Sequence, residues 1–105
     1  MDIADESVEG GNPSEAENIE WDEKTEEKCG NHQISFFDVQ DVAVDPIVWV
    51  RNKHHGDDRW KAIGRNRGGR KLTIVFSYDA IRKSLRPITG WDATKEENTK
   101  YFERE

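Results

Sequence analysis

The chain is poor in cysteine and has no long apolar run. It contains one cysteine, Cys29, in 105 residues, so no disulfide can form within it, which fits a reducing compartment. A buried or tolerated thiol is a simpler interpretation of Cys29 than a catalytic or metal-binding one. No stretch approaches the ~18 consecutive apolar residues of a transmembrane helix, and the N-terminus lacks the basic and apolar regions of a secretory signal. The sequence therefore predicts a cytoplasmic protein that does not enter a membrane.

Apolar residues are also scarce. Hydrophobic residues make up 33% of the chain and charged residues 36%, so the core must be small and part of the chain is expected to lie outside it. Four tryptophans and four phenylalanines offset this shortage, because each aromatic side chain buries a large area. The length is that of a single domain.

The net charge of −6 conceals two regions of opposite charge. Residues 1–28 carry eleven acidic and two basic side chains, a net charge of −9, whereas residues 49–86 carry eleven basic and three acidic side chains, a net charge of +8. A dense basic region attracts phosphates because binding releases counterions. The second region therefore favours a phosphate-rich partner.

The first nineteen residues have the composition of a disordered arm. They contain six acidic side chains, no basic one and almost nothing to bury, so they cannot offset the entropy lost on ordering. We predict a disordered acidic arm over residues 1–19 and a folded domain over residues 20–105. Two roles for the arm stay open, a solubilising tail and an electrostatic shield over the basic region.

The folded domain is organised around residues 58–78, which have the pattern of two strands joined by a basic, glycine-rich turn. On the first strand apolar and basic residues alternate, so one face of the sheet would carry Arg59, Lys61 and Arg65. The second strand alternates with the same period. The glycines of the turn, Gly68 and Gly69, supply the positive φ angles that hairpin connections require.

Helix boundaries are indicated by capping residues. Asp22 is predicted to cap a helix that runs to about Cys29 and is ended by Gly30. A second helix begins after Ser35 and runs to about residue 44, and a third follows Thr94 and runs to about residue 104.

Two further strands complete the predicted fold. Residues 47–51 are a β-prone run, and residues 81–87 alternate with period two, with Pro87 marking a bulge or an edge. The predicted fold class is α+β: an antiparallel β-sheet meander with two N-terminal helices and one C-terminal helix, all packed on one side of the sheet.

The cations of the predicted sheet face fit two kinds of activity, and on the residues alone we favour plain binding of nucleic acid or a protein over cleavage. Cleavage of RNA through its 2′-hydroxyl needs cations to stabilise the developing negative charge and a group that moves protons. Histidine titrates near neutral pH, and the chain offers His32, His54 and His55.

A metal site at His54, His55, Asp57 and Asp58 is a weaker hypothesis. Adjacent residues in a turn rarely converge on one ion, and these histidines lack the spaced Cys or His partners that zinc sites use. We therefore predict neither a metal nor any other cofactor.

Four short motifs, taken in order, resemble the BrnT family of toxins. They are Trp21-Asp22-Glu23, the segment from Asn31 to Phe36, Asp58-Arg59-Trp60 with Ile63-Gly64-Arg65, and Arg86 ahead of Ala93-Thr94. The resemblance covers about residues 20–104. It implies a RelE-like fold and a metal-independent endoribonuclease of a type II toxin–antitoxin system, with RNA as substrate and a BrnA-like antitoxin as partner. A homo-oligomer and a toxin–antitoxin heteromer both stay open.

The resemblance also implies a set of site residues. The catalytic residues would be His32, Arg65 and Arg86, with His32 moving a proton and the arginines stabilising the transition state. Together with the predicted basic face, it assigns RNA binding to Arg59, Lys61, Arg67, Arg70 and Arg82.

The sequence departs from the family pattern at two places. Asn31-His32-Gln33 stands where the family usually has Lys-His-Gly, and Trp91 stands where an arginine is common. Loss of a cation that stabilises a transition state costs orders of magnitude in rate. The alternative interpretation is therefore a non-catalytic RelE-fold domain that binds RNA or a protein and has lost nuclease activity.

Overall fold

A mixed β-sheet forms the centre of the molecule in the computed structural model, which describes residues 2–3, 11–52 and 58–103. Its strands are β1 (Asp2–Ile3), β2 (Asn18–Ile19), β3 (Val48–Arg51), β4 (Arg59–Arg65), β5 (Lys71–Asp79) and β6 (Ser84–Asp92), in the spatial order β1-β3-β4-β5-β6-β2. Strands β3 to β6 pair antiparallel in chain order, whereas β1 and β2 pair parallel with β3 and β6.

The prediction of a purely antiparallel sheet is therefore wrong at both edges. The two parallel strands are two residues long each and leave no alternating pattern in the sequence. Their backbone groups pair with edges that would otherwise be open, and only the tertiary structure shows where they attach.

Two helices cover one face of the sheet. Helix α1 (Glu23–Gly30) begins at Asp22, whose Oδ1 accepts a hydrogen bond of 2.8 Å from the Thr25 backbone N–H. Helix α2 (Phe36–Val44) begins with a capping box formed by Ser35 and Asp38. Both predicted N-caps are confirmed. The predicted end of the first helix is one residue off, because Gly30 is its last helical residue and the left-handed conformation falls on Gln33 instead (φ 58°).

The C-terminal helix lies on the opposite face of the sheet. Helix α3 (Lys95–Glu97) begins with the predicted capping box at Thr94 and continues as a π-helical turn over Asn98–Phe102. We call residues 95–102 the C-terminal segment. Phe102 packs with Val48 and Ile63, so the prediction that all helices lie on one side is wrong. The strands are apolar on both faces at their centre, and the second face needs its own cover.

The main core lies between the sheet and the first two helices. Buried aromatic rings dominate it, with the ring centroids of Trp49 and Phe76 5.6 Å apart. Trp60 and Ala62 of β4 also lie in this core. Because side chains alternate along a strand, Arg59, Lys61 and Arg65 point to the other side, as predicted. We call the sheet face opposite α1 and α2 the cationic face.

The last strand starts later and runs further than predicted. Residues 80–83 form a turn in which the Asp79 carboxylate accepts hydrogen bonds from the backbone N–H groups of Ile81 and Arg82, and the side chain of Ile81 is 96% exposed. The residues predicted to open the strand are therefore outside it. A register shift opposite Pro87 confirms the predicted bulge.

Part of the acidic arm is ordered. Pro13 is buried, and the backbone N–H groups of Glu17 and Asn18 both donate to the carbonyl of Lys83. Residues 11–19 thus lie along the β6 edge, which corrects the predicted disorder for this stretch. Residues 1 and 4–10 lie outside the described residues, and the division of the chain at residue 20 stays a prediction. In the described part of the chain, no helix has both the length and the apolar character needed to cross a bilayer.

The glycines at positions 90 and 30 provide a test of the packing. A Cβ added at Gly90 would lie 2.8 Å from Ile74 Cδ1 and 3.1 Å from Ile34 Cδ1, whereas at Gly30 it would meet nothing within 4 Å. Gly90→Ala is expected to lower the free energy of unfolding by about 1–3 kcal/mol through overpacking. Gly30→Ala, the control, should match or exceed wild type because alanine is the better helix former. Urea unfolding measures both, and equal stabilities for the two variants would contradict this packing.

Candidate functional site

The cations of the cationic face form two groups at opposite ends of the sheet. Arg59 of β4 pairs with Ser77 of β5, which pairs with Arg86 of β6, so these three lie side by side across neighbouring strands. Arg65 pairs with Lys71. Six residues separate Arg59 from Arg65 along β4, a distance of roughly 20 Å. We call these groups the Arg86 end and the Arg65 end.

The Arg86 end borders helix α1. The guanidinium Nη2 of Arg86 donates to Asp22 Oδ2 at 2.9 Å, with both side chains about half exposed, and Arg59 Nη1 lies 3.9 Å from Asp58 Oδ2. The pKa of Asp22 is lowered first by the hydrogen bonds from Thr25 and also by Arg86. Asp22 thus keeps its negative charge, caps α1 and orients Arg86 at once.

A cavity of about 280 Å³ opens at the Arg86 end between α1 and the sheet. Its polar lining consists of Lys24, Thr25, Lys28, Arg59, Ser77 and Arg86. Lys24 and Lys28 are not among the site residues predicted from the sequence. Their spacing of four residues on a helix places both on one side of α1, but the sequence does not show that this side meets the sheet.

The Arg65 end is partly covered by the C-terminal segment. Phe102 is only 4% exposed; the Arg65 guanidinium carbon lies 5.0 Å from its ring centroid and the Lys71 ammonium nitrogen 5.3 Å. These are cation–π distances. Both cations therefore contact the aromatic side chain that anchors the C-terminal segment.

Arg67, in the turn after β4, contacts Asp41 of helix α2. Its backbone N–H donates to Asp41 Oδ2 at 3.0 Å, and its Nε lies 3.3 Å from Asp41 Oδ1. With Arg65 it lines a cavity of about 550 Å³ beside α2. Lys61, also predicted to bind RNA, lies between the two ends and pairs with Val75.

Arg70 holds the loop that carries His32. Its guanidinium donates to Asp92 at 2.7 and 3.2 Å, to the carbonyl of Gln33 at 2.6 Å and to the carbonyl of His32 at 2.9 Å. The hydrogen bond to Asp92 raises the pKa of Arg70. The side chain predicted to bind RNA is thus occupied in fixing the loop between α1 and α2 to the end of β6.

The three residues predicted to be catalytic do not form one cluster. His32 is exposed in the loop between α1 and α2, Arg65 lies on the cationic face at the same end of the sheet, and Arg86 lies at the far end. The residues that the structure brings together are instead Arg59, Ser77 and Arg86, which come from three different strands.

Trp91 attaches the C-terminal segment to the sheet. It pairs with Thr73, which places its side chain on the cationic face, and its Nε1 donates to Glu97 Oε1 at 3.1 Å. The same Glu97 oxygen accepts from the backbone N–H of Thr94 at 2.8 Å. Where the resemblance leads us to expect an arginine, the chain has an indole with a structural contact.

Two acidic residues that directly follow the predicted arm pair with predicted site residues. Arg82 Nη2 donates to Glu20 Oε1 at 3.1 Å, and Asp22 pairs with Arg86. Acidic side chains therefore lie against the basic region at its β6 edge, although the pairs are exposed and weak in water. Three residues of the hypothetical metal site, His54, His55 and Asp57, lie outside the described residues.

Comparison with known proteins establishes the class of protein. Residues 21–97, most of the chain, match the family model described as "Ribonuclease toxin, BrnT, of type II toxin-antitoxin system". The chain belongs to the BrnT family, which confirms the resemblance seen in the sequence. Membership implies an antitoxin protein as partner and RNA as substrate. No curated protein and no solved structure matches the chain.

The Arg70–Asp92 pair predicts a dependence of stability on pH. The hydrogen bond from Arg70 lowers the pKa of Asp92 in the folded state, so the pair stabilises the fold above the unfolded pKa of about 4. This stabilisation is lost as the pH falls through the lowered folded-state pKa. Because the Asp92 carboxylate is 67% exposed, Asp92→Asn should cost less than about 1 kcal/mol at pH 7, and the difference should shrink below pH 4.

Urea unfolding at pH 7 and pH 3 measures this effect. Glu96→Gln, on exposed α3, is the control for removal of one negative charge. A stability difference between Asp92→Asn and wild type that is the same at both pH values would contradict the assignment.

Proposed function

We propose that this chain is a metal-independent endoribonuclease toxin with a RelE-like fold, acting on RNA in the cytoplasm, and that its RNA substrate crosses the cationic face. Family membership supplies the reaction class. The alignment of Arg59, Ser77 and Arg86 on three neighbouring strands supports this location for the RNA.

The scissile phosphate is placed at the Arg86 end. As the RNA 2′-oxygen bonds to phosphorus its proton passes to water, and as the P–O5′ bond breaks the 5′-oxygen takes a proton from water. Negative charge develops on the phosphorane oxygens meanwhile. Two guanidinium groups fixed beside that position stabilise this charge without reorganising during the reaction. Arg59 and Arg86 come from strands on either side of β5, so a phosphate above Ser77 lies between them.

The other predicted site residues take supporting roles in this proposal. Arg65 binds a phosphate further along the strand, and Lys61 lies on the path between the two ends. Arg67 and Arg82 contact the RNA backbone at the margins of the face, and Arg70 positions the His32 loop. Proton transfer by His32 is kept as a separate hypothesis, because its loop lies near the Arg65 end, out of hydrogen-bond reach of a phosphate at the Arg86 end.

A second candidate function is binding of RNA without cleavage. Trp91 stands where the resemblance places an arginine, and its indole is committed to Glu97. In this alternative the remaining cations bind RNA in a salt-sensitive manner, and the transition state lacks one stabilising charge.

Cleavage of RNA by purified protein in EDTA tests the two candidates. Wild type is expected to give defined products, and Arg86→Ala to lower kcat by about 10²–10³-fold, the usual cost of removing one group that stabilises an oxyanion. Arg65→Ala should chiefly raise KM. Lys95→Ala, which removes a cation from the C-terminal segment, is the control. Normal cleavage by Arg86→Ala would remove the assignment, and RNA binding by wild type without products would favour the second candidate.

His32→Ala separates the proton-transfer role from that of the arginines. A lost limb in the pH profile of kcat, with unchanged RNA affinity, is expected if the imidazole moves a proton. An unchanged profile would leave His32 without a part in the reaction.

We further propose that the protein partner is a BrnA-like antitoxin. Expression of the toxin alone should arrest growth, and coexpression with a BrnA-like protein should relieve the arrest and give a complex that purifies intact. Arrest that persists despite equal amounts of both proteins would contradict this partner. The mass of the purified complex decides between a homo-oligomer and a toxin–antitoxin heteromer.

A further inference from the structure

The cavity at the Arg86 end concentrates positive charge from two separate elements. Helix α1 contributes Lys24 and Lys28, and the sheet contributes Arg59 and Arg86. We call this cavity, with the lining residues given above, the lysine–arginine pocket. Four cations around 280 Å³ repel one another, and such an arrangement is stabilised when an anion occupies the space between them.

The ion pairs formed by the cations of the pocket are on its sheet side. Asp22 pairs with Arg86 at 2.9 Å, and Asp58 approaches Arg59 at 3.9 Å. Within the part of the chain that the structure describes, no carboxylate forms an ion pair with Lys24 or Lys28. The helix side of the pocket therefore carries two exposed lysines that share no ion pair with a carboxylate of the described residues.

Thr25 and Ser77 supply the two hydroxyl groups of the pocket. The Thr25 hydroxyl donates to the carbonyl of Pro87 at 3.3 Å, which fixes α1 against β6. Ser77 is half-buried between the two arginines of the sheet. A phosphate oxygen above Ser77 would find a hydroxyl donor as well as cations, and a volume below the usual range for drug-sized ligands suits one phosphodiester group.

We propose that the lysine–arginine pocket binds a backbone phosphate of the RNA and that Lys24 and Lys28 are phosphate-binding residues. The identity of the ligand rests on the function proposed above, since the pocket opens onto the face where the RNA is placed. Helix α1 is then a wall of the RNA-binding site as well as a cover for the core. Its two lysines add sequence-independent affinity of the kind that backbone contacts give.

The salt dependence of RNA binding tests this proposal. The ligand is a 2′-O-methyl single-stranded RNA oligonucleotide, which has no free 2′-hydroxyl and so is not cleaved, and binding is followed by fluorescence anisotropy between 50 and 200 mM salt, the range over which phosphate contacts have their effect. For the double variant Lys24→Ala/Lys28→Ala the slope of log K against log salt should become shallower by roughly 0.7 for each phosphate that the variant no longer neutralises. The matched control Lys95→Ala/Lys100→Ala removes the same charge from the C-terminal segment and should keep the wild-type slope.

The conservative variant Lys24→Arg/Lys28→Arg keeps both cations and should keep the slope near that of wild type, which separates charge from helix stability. Alanine favours helix formation, and circular dichroism checks that α1 remains. Equal changes in the lysine–arginine pocket variant and the control would show an effect of net charge only and would overturn the proposal. An unchanged slope in Lys24→Ala/Lys28→Ala would overturn it as well.

The outcomes for the pocket and for the proposed function are distinguishable. If the protein cleaves RNA but the pocket variant binds with the wild-type slope, phosphate binding in the pocket is contradicted and the nuclease activity is supported. If the pocket variant weakens binding but wild type gives no products, phosphate binding in the pocket is supported and the nuclease activity is contradicted. If wild type binds neither RNA nor a DNA oligonucleotide of the same sequence, the pocket proposal is overturned. Equal affinity for DNA and RNA supports a contact to phosphate alone.

Discussion

Burial of Trp60 and Ala62 under α1 and α2 is the constraint on which the candidate site depends. Both side chains are fully buried in the main core, and burial of apolar surface, here chiefly that of Trp60, is a main source of stability in a small domain. Because side chains alternate along β4, Arg59, Lys61 and Arg65 have to lie on the other face. A change that reversed the register of β4 would bury the cations and expose the tryptophan. Stability of the core and placement of the site are thus one property of the same strand.

The C-terminal segment divides the cationic face. Phe102 fills the space over Ile63 and contacts the cations of the Arg65 end, while the Arg86 end opens beside α1. A small chain with few apolar residues needs apolar cover on both sides of its sheet, and the cover reduces the surface available to RNA. In the proposed site the lysines of α1 extend that surface at the open end, so that the sheet and a helix would bind the RNA together.

The sequence predicts those features of the fold that depend on residues close together in the chain. The N-caps at Asp22, Ser35 and Thr94, the hairpin of β4 and β5, and the bulge at Pro87 all follow from residue chemistry within a few positions, and the structure confirms them. Short motifs were also enough to indicate the family. Local patterns do not determine which face of the sheet α3 covers, because either face would bury Tyr101 and Phe102 equally well.

The features of the structure that the sequence does not predict all involve contacts between distant parts of the chain. The clamp from Arg70 to the His32 loop joins residues more than thirty positions apart, and a lone arginine in a glycine-rich turn gives no sign of it. The parallel edge strands and the approach of Lys24 and Lys28 to Arg86 depend on the same long-range packing. For this reason the sequence does not show that His32 and Arg65 lie at one end of the sheet and Arg86 at the other, and the catalytic roles assigned to these three residues stay a prediction.

The most direct test of RNA binding at the Arg86 end is to map a bound RNA on the protein by NMR. A 2′-O-methyl oligonucleotide is titrated into the uniformly ¹⁵N-labelled full chain, and amide shifts are followed along β4, β5 and β6. We expect the largest changes at Arg59, Ser77 and Arg86, with smaller changes towards Arg65. Changes confined to the His32 loop and α2, with the Arg86 end unaffected, would contradict RNA binding at that end.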